Sequence, residues 1–231
     1  MSSRHRPTPL PPAFTLIELL VVVALLALLA GLVLPALART RQGVGRISCF
    51  ANLRQWGLAT QIFATDHEDR LPPDGAPNGI SRTDAWYTDM PPAIGERPYP
   101  DQGAWRTQAA SPLPRSVWLC PVNPRRSDGR MLFHYALNRR VNGSGPQSQP
   151  ARLGQVPQPD RPVWLFDNGG RAAVAAENNV HTNLHQGGAQ FLFLDGHAAR
   201  LKAPEYWDFH RRRGRTNAPG LIWDPRPPGT P

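Results

Sequence analysis

The sequence of 231 residues has few of the residues and motifs on which most enzymes and small secreted scaffolds depend. It contains only two cysteines, which excludes a disulfide-dense scaffold and a zinc site with four thiolate ligands. No phosphate-binding loop, dinucleotide fingerprint or pairing of a nucleophile with a base is found in it. The sequence therefore predicts a protein that is not an enzyme.

The composition predicts one globular domain with appendages. Proline and glycine number 27 and 20, which favours many turns and long irregular connections. Apolar residues make up 40% of the chain, too large a share for a wholly disordered protein. The formal net charge is +9, and the length is sufficient to bury a core.

The longest apolar segment runs from Leu19 to Ala38, twenty residues without a polar side chain. Twenty helical residues rise about 30 Å, the thickness of the hydrocarbon core of a bilayer. We therefore expect a membrane-spanning helix over 14–38. Glu18 lies in its first turn, and a carboxylate inside a membrane costs about 2.5–3.5 kcal/mol unless a partner neutralises it.

Two other interpretations of this segment remain open. Ala36-Leu37-Ala38 has the A-x-A form of a secretory cleavage site, but the apolar core of a signal peptide is only about 7–15 residues long. A plain membrane anchor is the other alternative. Arginines flank the segment on both sides, so the positive-inside rule does not give its orientation in the membrane. In a plain anchor, Glu18 would also have no cation to neutralise it.

Residues 13–22, Ala-Phe-Thr-Leu-Ile-Glu-Leu-Leu-Val-Val, resemble the processing and assembly signal of type IV prepilins and type II secretion pseudopilins. In that family a dedicated membrane peptidase removes a short basic leader just before a Phe and methylates the new amino group. The resemblance implies cleavage between Ala13 and Phe14, with Ala13 standing where the family usually has Gly. It also implies that Glu18 pairs with the amino terminus of the adjacent subunit.

A second resemblance lies nearer the C-terminal end. His185, nine intervening residues and Asp195-Gly196 are similar to the H-x9-D-G signature of a large bacterial set of prepilin-type proteins. A strand over 189–194 spans about 20 Å and separates His185 from Asp195. We therefore interpret His185 as the residue that enters the strand and Asp195 as a turn residue, rather than as one catalytic or metal site.

The rest of the chain predicts an α+β fold. A stalk helix is expected over 39–67, and short strands are expected at 117–120, 131–137 and 162–166, with a hairpin formed by 189–194 and 197–201 around a two-residue Asp-Gly turn. The resemblance implies a pilin-like arrangement, in which a long N-terminal helix, transmembrane and then stalk, packs on a small antiparallel β-sheet head with long Pro/Gly-rich loops.

The expected organisation has five parts. They are a cleaved basic leader at 1–13, the transmembrane and assembly helix at 14–38, the stalk helix at 39–67, an extracytoplasmic head at 68–201 and a basic, Pro-rich, solvated tail at 202–231. Residues 70–115 are interpreted as a long surface loop, and an aromatic-lined ligand groove within it is the alternative. In this topology Cys49 and Cys120 lie outside the cytoplasm, where they form either a disulfide or two buried free thiols.

No metal ligands are assigned from the sequence. A zinc site would need His181, His185 and His197 to converge, and no glutamate follows His181 as metalloprotease chemistry requires. Some secretion pseudopilins hold calcium, so a calcium ion with unknown ligands is the one cofactor that the resemblance leaves open. The oxygen-bearing candidates, without a diagnostic spacing, are Asp160, Asp167, Asn168, Asn178 and Asn179.

The resemblance implies a structural subunit of a type II secretion or type IV pilus-like system. Such a subunit is processed by prepilin peptidase, self-assembles with other pseudopilins and crosses the bacterial inner membrane once, with its N-terminus cytoplasmic and its head periplasmic. Nucleic acid is not expected as a partner, and no small-molecule substrate is assigned. The alternative is a membrane-anchored extracytoplasmic ligand-binding protein or metal-dependent enzyme.

Overall fold

A computed structural model of the protein describes residues 15–143 and 149–226, and of the side chains within 35–42 nothing is described. The chain divides into two compact units, Met1–Gly43 and Val44–Pro231. The first unit contains the N-terminal part of helix α1, and the second contains the remainder of α1 and the head. The protein is therefore α+β, as the sequence predicts, with an N-terminal apolar helix and a β-sheet.

Helix α1 spans Leu16–Asp66. Thr15 precedes it as the N-cap, because its hydroxyl accepts a hydrogen bond of 3.2 Å from the backbone N–H of Glu18. In return, Glu18 Oε2 accepts hydrogen bonds of 2.8 Å from the backbone N–H and from the hydroxyl of Thr15. This reciprocal capping box starts the helix, and the positive φ of Glu68 and Asp69 follows its end.

Among the described residues, one segment is long and apolar enough to cross a membrane by length and composition. It is Leu16–Leu34, 19 residues with a mean hydropathy of 3.0, and none of it is buried within the protein. A continuous exposed apolar surface of this size is unfavourable in water. The segment is therefore compatible with a membrane anchor.

The head is built on a five-stranded sheet with the order β3-β1-β2-β4-β5. The strands are β1 Tyr135–Asn138, β2 Val163–Asp167, β3 Val174–Ala175, β4 Gly188–Phe193 and β5 Ala198–Lys202. The sequence predicts a wholly antiparallel sheet, but β1 and β3 pair in parallel. Strand β1 lies between β2 and β3 in the sheet. After β2 the chain reverses direction and crosses to the other side of β1, so β3 runs antiparallel to β2 and parallel to β1.

The hairpin of β4 and β5 is present, with a loop one residue longer than predicted. The backbone N–H of Phe193 donates to the carbonyl of His197 at 2.9 Å, so Leu194, Asp195 and Gly196 form a three-residue loop. Only Gly196, with φ of 88°, takes the left-handed conformation there. A type I turn followed by a glycine of positive φ is the usual form of such a loop, and a residue other than glycine is strained at that position.

Two core clusters lie on the sheet. The first includes the buried face of α1, formed by Cys49, Leu53, Trp56 and Phe63. The second includes Phe166, Phe191, Tyr206 and Trp223. Trp223 is completely buried, and its carbonyl accepts a hydrogen bond of 2.8 Å from Asn138 Nδ2. The described part of the region predicted as a solvated tail at 202–231 is therefore part of the folded head.

Short elements complete this C-terminal region and the loops. They are helices α2 Trp86–Asp89 and α3 Ala203–Tyr206, the hairpin of β6 Trp207–Asp208 with β7 Arg213–Gly214, and the hairpin of β8 Asn217–Ala218 with β9 Leu221–Ile222. Five 3₁₀ turns lie at Pro91–Ile94, Tyr99–Asp101, Ala104–Arg106, Leu153–Gln155 and Glu177–Asn179.

The aromatic residues of 70–115 belong to the core and do not line a surface groove. Trp86 is completely buried, its ring centroid lies 5.7 Å from that of Trp56 on α1, and its Nε1 donates to the carbonyl of Ala173 at 3.1 Å. Tyr99 is also completely buried and donates its hydroxyl to the carbonyl of Leu132 at 2.7 Å. This segment contains few regular elements because its aromatic side chains, rather than backbone ladders, attach it to the head.

The segment 117–120, predicted to be a strand, is instead a turn. Its backbone groups are hydrogen-bonded to side chains of other elements, which replaces the pairing of a strand. The carbonyls of Val117 and Leu119 accept hydrogen bonds from Trp56 Nε1 at 3.2 Å and from Asn52 Nδ2 at 2.9 Å. This segment therefore lies directly against α1.

Gly57 allows the closest approach of α1 to the β4–β5 loop. A Cβ atom there would lie 3.0 Å from the carbonyl oxygen of Gly196 and 3.0 Å from Leu192 Cδ1. We expect Gly57→Val to destabilise the head by about 1–3 kcal/mol, because it overfills this contact. All seven tryptophans lie in the second unit, so thermal unfolding of the detergent-solubilised chain followed by tryptophan emission measures this effect.

Ala51→Val provides the matched control, since Ala51 is an exposed position on the same helix. Helix propensity alone favours Gly57→Val over Ala51→Val, because valine forms helix better than glycine and worse than alanine. A head that unfolds at a higher temperature with Gly57→Val than with Ala51→Val contradicts the proposed contact.

Candidate functional site

The N-terminal candidate site is described only in part. Ala13 and Phe14, the residues of the expected processing site, lie outside the described residues. Glu18 is exposed on the first turn of α1. Its contacts within the described part of the chain are the three hydrogen bonds with Thr15, none of which involves a cation. The carboxylate therefore caps its own helix and keeps its negative charge uncompensated by these contacts.

The second candidate site is a buried polar cluster between α1 and the sheet, and its centre is a disulfide. Cys49 on α1 is bonded to Cys120, with a Cα–Cα distance of 4.8 Å, and the two residues are 71 positions apart in sequence. Of the two alternatives for the cysteines, the structure has the disulfide. This bond joins α1 covalently to the turn that precedes β1.

His185 and Asp167 lie beside this disulfide. His185 Nε2 is 3.6 Å from Cys120 Sγ and 3.0 Å from Asp167 Oδ2, and both side chains are completely buried. Asp167 ends β2, and His185 lies just before β4. Because a carboxylate oxygen only accepts, this 3.0 Å contact assigns a proton to Nε2, whose N–H donates the hydrogen bond to Asp167 Oδ2.

The carboxylate is held by neighbouring groups. Asp167 Oδ2 also accepts a hydrogen bond of 2.6 Å from the backbone N–H of Gln190, whose side-chain Nε2 donates to the carbonyl of Arg46 on α1 at 3.1 Å. Burial, and secondly the charge of Asp167, raise the pKa of the Tyr135 hydroxyl well above its usual value. Asp167 Oδ1 and His185 Nδ1 are buried without a hydrogen-bond partner in the structure.

His134 positions the other side of Cys120. Its Nδ1 accepts a hydrogen bond of 3.1 Å from the backbone N–H of Cys120, and its Nε2 lies 3.1 Å from the carbonyl of Arg125. Only the neutral ring with its proton on Nε2 satisfies both contacts. Burial is the largest cause that lowers the pKa of His134, to about 4.

The two ends of the H-x9-D-G signature lie in different environments. Asp195 contacts His197, with Oδ1 2.6 Å from Nδ1, and is part of the loop after β4. That loop packs against α1, where Gln61 Nε2 donates to the carbonyl of Leu194 at 3.0 Å. The signature therefore places His185 beside the disulfide and Gly196 against Gly57, so both ends attach the head to α1.

The structure does not bring the sequence-derived metal candidates together. Within residues 15–143 and 149–226, the group of His, Cys, Asp and Glu residues that could hold a metal ion is Cys49, Cys120 and His185, without His181 or His197. Among the calcium candidates, Asp167 binds His185, Asn168 Nδ2 donates to the carbonyl of Phe133 at 3.1 Å, and Asn178 Oδ1 accepts from the backbone N–H of Gly214 at 2.9 Å. These side chains thus serve separate structural contacts.

Sequence reasoning missed the role of Asp167 and of His134 in this cluster. From the sequence, Asp167 is only one of five candidate calcium ligands, and His134 is not identified as a site residue. One available signal is that Asp167 directly follows the apolar run 163–166, which predicts a carboxylate at the edge of a buried strand. The pairing of Asp167 with His185 depends on the β2–β4 register, which no local pattern contains.

Comparison of the chain with known protein families, with curated proteins and with solved structures finds no match. Function must therefore be inferred from the residues of this chain and their geometry alone. In chemical terms, the buried cluster offers a disulfide, an imidazole and a carboxylate that solvent does not reach.

We expect the head to lose stability as the pH falls from about 6.5 towards 4, because the depressed pKa of His134 makes its protonation unfavourable in the folded state. The contribution is fully present above the unfolded-state pKa of about 6.5 and is on the order of 3 kcal/mol. Urea unfolding of the full chain at about pH 7 and about pH 4 measures it. His134→Asn, which keeps an acceptor for Cys120, should reduce this pH dependence.

His210→Asn is the control, because His210 is exposed. It should leave the difference in unfolding free energy between the two pH values at its wild-type size. Other groups contribute to the absolute profile, among them Asp74, whose pKa burial raises to about 7. These contributions cancel when the variants are compared. If the pH dependence of the unfolding free energy is unchanged in His134→Asn, His134 is not its source.

Proposed function

We propose that the protein is a prepilin-like, or pseudopilin, structural subunit of a type II secretion or type IV pilus-like system. Its apolar helix inserts into the bacterial inner membrane, prepilin peptidase cuts between Ala13 and Phe14, and the mature subunits pack into a helical fibre. The observation that carries this proposal is the motif of residues 13–22, which leads directly into an exposed apolar helix of membrane-spanning length.

The state of Glu18 supports this assignment. Its contacts with Thr15 cap the helix but supply no positive charge, so the cost of placing this carboxylate in a membrane is not met by them. The amino group that cleavage creates at Phe14 of a neighbouring subunit would supply the positive charge that Glu18 lacks. Pairing between subunits therefore makes an otherwise unfavourable residue favourable in the fibre.

The head-bearing part of α1 also offers an uncovered apolar surface. Val44, Ile47 and Leu58 are 58%, 71% and 57% exposed, although Cys49, Leu53 and Trp56 on the same helix are completely buried. Ile47 and Leu58 are eleven residues apart, about three helical turns, so they lie on one face. This face suits contact with the helices of neighbouring subunits.

In this proposal the head has a mechanical and recognition role, and the partners are other copies, other pseudopilins and prepilin peptidase. The N-terminus is cytoplasmic and the head periplasmic, where a disulfide is favoured. The structure also bears on the ligand-binding alternative, since the aromatic side chains at 86, 87, 99 and 105 are buried in the core and do not form an open groove.

Mass spectrometry of the membrane-extracted protein tests the processing step. We expect a mature chain that begins at Phe14 and carries one methyl group on its amino nitrogen. A chain that begins at Arg39 identifies a secreted protein with a signal peptide, and one that retains Met1 identifies a plain anchor. In a host without prepilin peptidase, the leader should remain attached.

Glu18→Gln tests assembly separately from capping. Glutamine keeps the capping box with Thr15, so the helix start is retained while the charge is lost. We expect about tenfold fewer subunits in the sheared fibre fraction, with membrane insertion unchanged or improved. Asp66→Asn, an exposed acid at the other end of α1, is the matched control and should assemble normally. Normal assembly of Glu18→Gln refutes the proposed pairing.

A further inference from the structure

We propose that, in the reduced protein, Cys49, Cys120 and His185, together with Asp167, form a zinc-binding site, which the disulfide replaces when the two cysteines are oxidised. This inference is independent of the pilin assignment, since it concerns the second unit alone. Its basis is the convergence of four donor groups at one buried place between α1, the turn before β1, and strands β2 and β4.

The donor atoms are of the right types and are close together. The two sulfurs and His185 Nε2 lie within 4.8 Å of one another, and Asp167 Oδ2 is 3.0 Å from the same nitrogen. Two thiolates, an imidazole and a carboxylate are ligands that Zn²⁺ takes in tetrahedral sites. In such a site, zinc–sulfur and zinc–nitrogen bonds of about 2.3 Å and about 2.0 Å hold the donors about 3.5 Å apart. The 3.6 Å between Cys120 Sγ and His185 Nε2 fits this spacing, and the two sulfurs, which are bonded to each other in the structure, must move apart after reduction to reach it.

The geometry distinguishes this site from a catalytic relay. In a relay, one ring nitrogen of histidine faces the nucleophile and the other faces the carboxylate. Here the same nitrogen, Nε2, faces both Cys120 and Asp167, while Nδ1 is buried without a hydrogen-bond partner among the described residues. Donors that converge on one point, rather than following one another in a line, are the arrangement of metal ligands.

A dithiol can supply the electrons for this reduction. The dithiol transfers two electrons and two protons to the Cys49–Cys120 bond, becoming a disulfide itself and leaving two thiols. Zn²⁺ then binds the two sulfurs as thiolates, and the two thiol protons pass to water. The proton leaves His185 Nε2, which gives up its hydrogen bond with Asp167 Oδ2, and Nδ1 carries the proton instead. Nε2 can then bind the ion through its lone pair.

The ion and the disulfide have the same structural effect. Each joins Cys49 on α1 to Cys120 across 71 positions of the sequence. A subunit whose cysteines are still reduced thus has its stalk held to the head by zinc, and oxidation later makes the link covalent. The buried carboxylate of Asp167 also gains a divalent cation as a neighbour in the reduced form.

The test uses the full chain in detergent, purified with a phosphine reductant and, in parallel, in its disulfide form. We expect one zinc per reduced chain by elemental analysis and none in the disulfide form. Co²⁺ added to the reduced, metal-free chain should produce sulfur-to-cobalt charge-transfer absorption. Zn²⁺ should also raise the unfolding temperature of the reduced chain, measured by tryptophan emission.

His185→Ala and Asp167→Asn should each weaken Co²⁺ binding by at least about tenfold, since each removes one of the four donors. His181→Ala is the matched control, since this histidine lies only four positions away and outside the cluster, and it should bind like the wild type. Normal unfolding of the oxidised variants shows that they fold. A reduced wild type that binds no zinc, or a His185→Ala variant that binds Co²⁺ as tightly as His181→Ala, overturns the proposal.

Discussion

The burial of one face of α1 is the interaction on which the rest of the structure depends. From Cys49 to Phe63 this helix supplies five buried residues of the first core cluster, and the turn at 117–120, the aromatic segment and the β4–β5 loop all contact it. An isolated sheet of five short strands would leave an apolar face in water. The helix covers that face, so the part of α1 that follows Gly43 and the head form one compact unit.

Polar side chains decide where each loop meets the helix. Asn52 and Trp56 bind the carbonyls of the 117–120 turn, and Gln61 binds the carbonyl of Leu194. A buried carbonyl without a partner costs about 1–3 kcal/mol, so these bonds select one position for each loop. Glycines at 45 and 57 permit the close approach that the bonds require. In this way apolar burial supplies the driving force, and the polar contacts supply the specificity.

Much of this architecture is accessible from the sequence, and the misses have identifiable physical causes. The long helix and the β4–β5 hairpin follow from apolar periodicity and an Asp-Gly turn, which are local signals. The segment 117–120 has the residues of a strand but bonds with side chains of α1, and the C-terminal region looks solvated although Trp223 is buried. A single sequence does not show that Trp223 is covered by the far face of the sheet, since this depends on contacts between distant residues.

The sequence by itself determined the apolar helix with its acidic first turn, because the length of a hydrophobic run and a capping pattern act through neighbours along the chain. It also limited the covalent links to one pair of cysteines. Only the tertiary structure decided that His185 meets Asp167 and Cys120, which lie 18 and 65 positions away from it in sequence. Strands β2 and β4 must pair before Asp167 comes close to His185. The parallel pairing of β1 with β3 likewise depends on the path of the chain around β1. Alternation of apolar and polar side chains along a strand does not predict that path.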